Sequence, residues 1–147
     1  SKDDAFVLGR VINYPIALEG ALKLKEVAQI HAEGIDVGEF RHGSKTLLDG
    51  DIPVIVIIPK DLEAREDTYD LVREIVDVSR VLIITDGKDP FAERFTKYVV
   101  RIPSIPEVLA PILNILPLQK LALHLGKLRG MPIDEPPRLK KAVILQK

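Results

Sequence analysis

Four short, almost wholly apolar runs, Ala5 to Leu8, Val54 to Ile58, Val81 to Thr85 and Tyr98 to Ile102, narrow the folds open to this chain. Runs of that length without polar alternation read as strands buried on both faces, as in a parallel sheet. Parallel strands need long crossovers, and the intervening segments carry helical patterns, so the class is α/β, a parallel sheet covered by helices. A fifth strand is expected at Ala142 to Leu145.

The first helix is expected from Pro15 to about Ala32, with Asn13 near its cap and proline suited to the opening turn. A second spans Leu62 to Val78. A long apolar one runs from Glu107 to Arg129, with kinks expected at Pro111 and Pro117 because proline lacks an amide donor. Gly130 should stop it, and Met131 to Leu139, with three prolines, reads as an extended tail. No repeat or linker divides the chain, so residues 1–147 are read as a single domain with 131–147 as an extended C-terminal tail.

At 46% hydrophobic residues the chain can bury a real core. Lys and Arg total 21 against 22 Asp and Glu, which leaves no basic stripe and argues against nucleic acid as a partner. Without cysteine there is no disulfide framework or thiolate chemistry. No apolar run reads as long enough to cross a membrane, and Ser1 to Asp4 is not a leader, so a cytoplasmic protein is expected. Asparagine occurs only at Asn13 and Asn114, a lean toward a heat-adapted source.

Candidate chemistry lies first on the opening helix, where Glu19, Lys23 and Glu26 fall at i, i+4 and i+7 and share one side. Spacing alone also fits an ordinary exposed ion pair. Because the helix follows the first strand, its opening belongs at the carboxyl end of the sheet, where open α/β folds bind ligands. A carboxylate beside a lysine there could move a proton between adjacent sugar carbons. The segment Gly38 to Ser44 presents His42 between glycines, either an acid/base group or a surface histidine on a turn. His31 and His124 fall on helical patterns and read as packed or capping. In the tail Arg138 to Lys141 offers amines for a Schiff base or a phosphate, or only a solvated basic end. No metal-ligand cluster, Walker loop or GxGxxG turn stands out, so neither metal nor cofactor is expected.

The run Tyr14 to Glu26 (YPIALEGALKLKE), then His31-Ala32-Glu33-Gly34, Gly38 to Gly43 (GEFRHG), Pro53 to Ile57, Pro117-Leu118-Gln119 and Asp134-Glu135-Pro136 resemble the sugar isomerase (SIS) domain family. The likeness is to the second SIS subdomain of glucosamine-6-phosphate synthases, and also to archaeal-type glucosamine-6-phosphate deaminases. The resemblance implies a three-layer sandwich, a five-stranded parallel sheet flanked by helices, acting on fructose-6-phosphate or glucosamine-6-phosphate. It implies Glu26 as the proton-shuttling base, with Glu19 and Lys23 supporting sugar and base. His42 becomes the ring-opening group delivered from a neighbouring subunit, and Lys141 the amine that engages the open-chain ketose. A homodimer, or pairing with another SIS half, follows.

Departures from the family pattern bear on substrate and tail register. Val11 stands where the family has glycine, Ser44 where it has proline, and Pro137-Arg138 where it has Arg-Asn. The phosphate-holding Ser/Thr loop of the family belongs to the first SIS subdomain. Two functional classes therefore stay open: a phosphosugar isomerase module, or a non-catalytic sugar-phosphate-binding or dimerisation half.

Overall fold

The computed structural model describes residues 3–134. Strand β1 (Asp4–Gly9) leads through a 3-10 turn (Val11–Asn13) into helix α1 (Tyr14–Ala28). Strand β2 (His31–Asp36) and the short helix α2 (Val37–Arg41) follow, then β3 (Val54–Ile57), α3 (Leu62–Ile75) and β4 (Val81–Asp86). Strand β5 (Val99–Ile102) and helix α4 (Ala110–Leu128) close the described fold. All pairings are parallel, in the order β2-β1-β3-β4-β5.

Strand alternation divides the core into two layers. Phe6, Leu8, Val54, Val56, Val81 and Ile83 point to one face, where α2 and α3 cover them with Val37, Phe40, Tyr69, Val72 and Ile75. Ala5, Val7, Ile55, Ile57 and Ile84 point to the other, where α1 and α4 supply Ala17, Ala21, Leu24, Leu118 and Ala122. Because both faces are covered, the strands have no polar side, and this is why they read as unbroken apolar runs. The expected α/β three-layer sandwich is the observed architecture.

The sheet reaches five strands by a route the pattern did not show. The first helix ends at Ala28 rather than Ala32, on Gln29 in the left-handed region (φ 51°), and His31–Asp36 pairs with β1 from Asp4↔His31 to Gly9↔Asp36. As an edge strand with the sequence HAEGID it buries only Ala32 fully, so no apolar run marked it. Gly34 explains the fit of this strand under α1: a Cβ there would lie 2.6 Å from Ala17 O and from Leu18 Cα. The fifth strand expected at Ala142 to Leu145 lies outside the described residues.

Elsewhere the boundaries shift modestly. The helix expected to Val78 ends at Ile75, and β5 begins at Val99 rather than Tyr98. Glu107–Leu109 is a 3-10 turn, which places Pro111 in the first turn of α4, where no internal hydrogen bond is lost. Pro117 does lie inside α4, which continues through it to Leu128. After Arg129, Gly130 (φ 67°) donates to Lys127 O and Met131 to Gly126 O, a glycine-terminated helix end as expected. The expectation that no segment is long and apolar enough to span a membrane needs correction: the 22-residue stretch Glu107–Leu128, with a window of mean hydropathy 1.4, meets that requirement by length and composition. In this fold Leu118 and Ala122 of that helix pack against the sheet and α1.

Candidate functional site

Helix α1 buries Ala17, Gly20, Ala21, Leu24 and Ala28, all on one side. Glu19, Lys23 and Glu26 consequently share its other side. Lys23 Nζ lies 2.6 Å from Glu26 Oε2 and 3.4 Å from Glu19 Oε1, so one ammonium bridges two carboxylates. The bond to Glu26 is the main reason the Lys23 amine is held above the ordinary lysine value of 10.5, partial burial opposing it and Glu19 adding to it. At neutral pH Lys23 is therefore a fixed cation, a charge partner rather than a nucleophilic amine. The expected triad is brought together.

Its place in the fold differs from the expectation. The helix opens at the carboxyl end of the sheet, but it runs antiparallel to the strands. Glu26 lies about 18 Å further along the axis at 1.5 Å per residue. It sits near the first paired residues of β1 and β2, Asp4 and His31, at the opposite end of the sheet. The stripe thus belongs to the outer surface of the α1–α4 layer and not to the crevice above the strands. That layer also exposes Leu18, Leu22, Ile112, Leu116 and Leu123.

His42 closes α2, where its amide donates to Glu39 O at 3.0 Å. Its side chain is exposed, with no hydrogen bond among the described residues. Because α2 packs on the face opposite α1, His42 and Glu26 of one chain lie on different sides of the sheet. A single chain does not join them.

The other histidines correct the reading. His31 is on strand β2, not a helix, and its exposed ring meets Asp4 Oδ1 at 2.8 Å. His124 is on α4 but exposed rather than packed, at the rim of an apolar cavity of about 580 Å³ between α4 and β4–β5. Leu82, Val100, Leu113 and Leu121 line that cavity, and no carboxylate among the described residues does. Lys141 lies outside the described residues.

Sequence reasoning missed an ion-pair network at the carboxyl edge. Arg10, in the turn after β1, reaches Asp36 (3.6 Å) and Asp67 (3.1 Å). Arg41 reaches Asp67 Oδ1 (2.5 Å), the Asp67 carbonyl (2.9 Å) and Glu74 (3.5 Å). Asp67 is 26 residues from Arg41, so no local spacing pointed to it.

Comparison with known proteins places these residues in context. The SIS domain family matches residues 1–126. The glutamine-fructose-6-phosphate aminotransferase (isomerizing) of Pyrococcus horikoshii is 41% identical over 148 residues, covering 99% of this chain and 24% of its own length. The C-terminal domain of glucosamine-fructose-6-phosphate aminotransferase from Francisella tularensis superposes with a TM-score of 0.83 at 32% identity, over 92% of this chain and 38% of that one. The glucosamine-6-phosphate deaminase of Thermotoga maritima shares the fold with a TM-score of 0.74 at 24% identity, over 97% of this chain and 41% of that one. The chain thus spans about a quarter of the length of the aminotransferase it matches.

Proposed function

The chain belongs to the SIS domain family, and from that premise we propose that it is the phosphosugar isomerase module of an aminosugar-phosphate synthase or deaminase, acting on fructose-6-phosphate or glucosamine-6-phosphate. The observation that carries this reading is the Lys23 ammonium shared between Glu19 and Glu26 on the outer, partly buried face of one helix. Interconverting a ketose and an aldose requires a base that takes a proton from the carbon beside the carbonyl and returns it to the neighbouring carbon. The electron pair released forms the enediol. Reprotonation at the former carbonyl carbon, with loss of the hydroxyl proton from its neighbour, leaves the new carbonyl on the carbon that first gave up its proton. Glu26 is the base in this scheme, its carboxylate oriented by Lys23, while Glu19 supports the lysine and the sugar. A fixed cation beside the reacting centre also favours the negative charge that develops on the enediol oxygen.

Ring opening falls to His42, which must come from a second chain, since within one chain it lies across the sheet from Glu26. Lys141 serves as the amine that engages the open-chain ketose. The module accordingly works as a homodimer or paired with another SIS half. The exposed leucines and isoleucine of the α1–α4 layer supply the kind of apolar surface such pairing covers.

Turnover of fructose-6-phosphate and glucosamine-6-phosphate by the purified chain, following ammonia and sugar product, tests the reading with Glu26→Gln as control. We expect that change to lower turnover by about a hundredfold or more, the usual contribution of a positioned base. A folded protein no more active than Glu26→Gln would sink the self-sufficient enzyme. It would favour the second reading, a non-catalytic sugar-phosphate-binding or dimerisation half. The separation of His42 from Glu26 already lends that alternative support.

A further inference from the structure

The segment that presents His42 has little to hold it by itself. Helix α2 has five residues, barely more than one turn, and so short a helix does not sustain itself. Gly43, which follows the histidine, stands in open space, with nothing within 4 Å of where a Cβ would be. Yet the turn is tied down from both sides. Before His42, Asp36 caps α2 by accepting from Gly38 N at 2.8 Å, and Phe40 is buried edge-on against Phe6. Thr46 then folds back on Gly43 O through both its amide (2.9 Å) and its hydroxyl (2.7 Å).

Two cations grip α3 on either side of the histidine. Arg41 takes the Asp67 carboxylate and carbonyl, and Lys45 takes Glu74 Oε2 at 2.7 Å. Asp67 and Glu74 are seven residues apart and so occupy the same face of α3, about 10 Å from each other along it. The Lys45 contact is also the chief reason the Glu74 carboxyl is held below its ordinary value of 4.5, burial opposing and Arg41 assisting. Asp67 has a further role, since its second oxygen holds Arg10 from the turn after β1. One carboxylate thereby joins the first loop of the sheet to the turn that carries His42.

We propose that Asp67, gripping Arg41 and Arg10 at once, is a positioning residue that fixes the His42 turn on α3 so that the imidazole is presented outward to a second chain. The inference rests on the reading of His42 as a working group, and it adds the device that aims it. Partly exposed ion pairs contribute little to global stability. The clamp therefore acts on the local order of the turn far more than on the fold, which separates positioning from general support. A lysine at position 41 would not replace the guanidinium, because a single ammonium does not present the planar fork that reaches carboxylate and carbonyl together.

Amide hydrogen exchange on the purified chain tests this without any need for turnover. In Asp67→Asn we expect the amides of His42 and Thr46 to exchange about tenfold faster or more, while those of Val54 and Ile83 in the sheet are unchanged. Asp67→Glu, which keeps the charge, should restore much of the protection, and Arg41→Lys should resemble Asp67→Asn. Unchanged exchange at His42 and Thr46, or faster exchange throughout the sheet, would overturn the clamp. In the turnover assay Asp67→Asn is expected to lower kcat with little change in KM. A His42→Ala variant with native turnover would instead remove the functional reading of the histidine, leaving the exchange result to judge the clamp alone.

Discussion

Val11 is the residue where the backbone is most at odds with its side chain. It is β-branched, 67% exposed, and held at φ 54° in the turn that carries the chain from β1 toward α1. A branched Cβ is disfavoured there, and nothing buried compensates for it. Val11→Gly should raise stability by about 1 kcal/mol despite the added freedom of the unfolded chain, read as a higher denaturant midpoint at constant slope. No change would mean that the neighbouring Arg10 ion pairs, and not the conformation of Val11, set the energy of this turn. At the same scale, the Glu19-Lys23-Glu26 stripe was legible from spacing because a helix repeats its faces locally. The role of Asp67 was not, because its arginine partners come from two distant segments.

At the scale of elements, the packing of β2 beneath α1 decides how the edge of the sheet is built. The Cβ of an alanine at position 34 would enter the backbone of Ala17 and Leu18, which no rotamer change relieves. Gly34→Ala is expected to cost about 1–3 kcal/mol, measured by denaturant unfolding, as for other overpacked sites. A cost near zero would mean that α1 rides away from the edge strand without loss. This same element marks the limit of pattern reading. Strands β1, β3 and β4 were visible as apolar runs because two helical layers bury them, and the edge strand β5 because it stayed mostly apolar, whereas the other edge strand, β2, kept charged and small residues. The buried pair Asn114 to Asn13, at 2.7 Å, likewise ties the opening of α1 to α4 across a sequence distance that no local signal spans.

For the whole molecule, the two faces of the sheet carry different parts of the proposed machinery. Glu26 and Lys23 lie with α1 on one side, and His42 with α2 on the other. If chains pair to form the site, then Glu26→Gln and His42→Ala proteins, each inactive alone, should complement when mixed after dissociation. With free exchange between two-site dimers, half the dimers are mixed and each holds one intact site, so about a quarter of native turnover is expected. Mixtures that stay inactive although the subunits exchange, as seen by sedimentation of tagged chains, would show that the site is not shared in this way.

The sequence by itself determined the α/β class, the four strands β1, β3, β4 and β5, the main helices and the charged stripe on α1, because each depends on side-chain periodicity within a short stretch. The motif resemblance added the family and a set of roles. Only the tertiary structure decided the edge strand β2, the end of the sheet to which Glu26 is carried, the separation of His42 from it, and the double use of Asp67. Those features depend on which segments meet in space, and the energy of such meetings is written into pairs of residues far apart in the chain rather than into any local pattern.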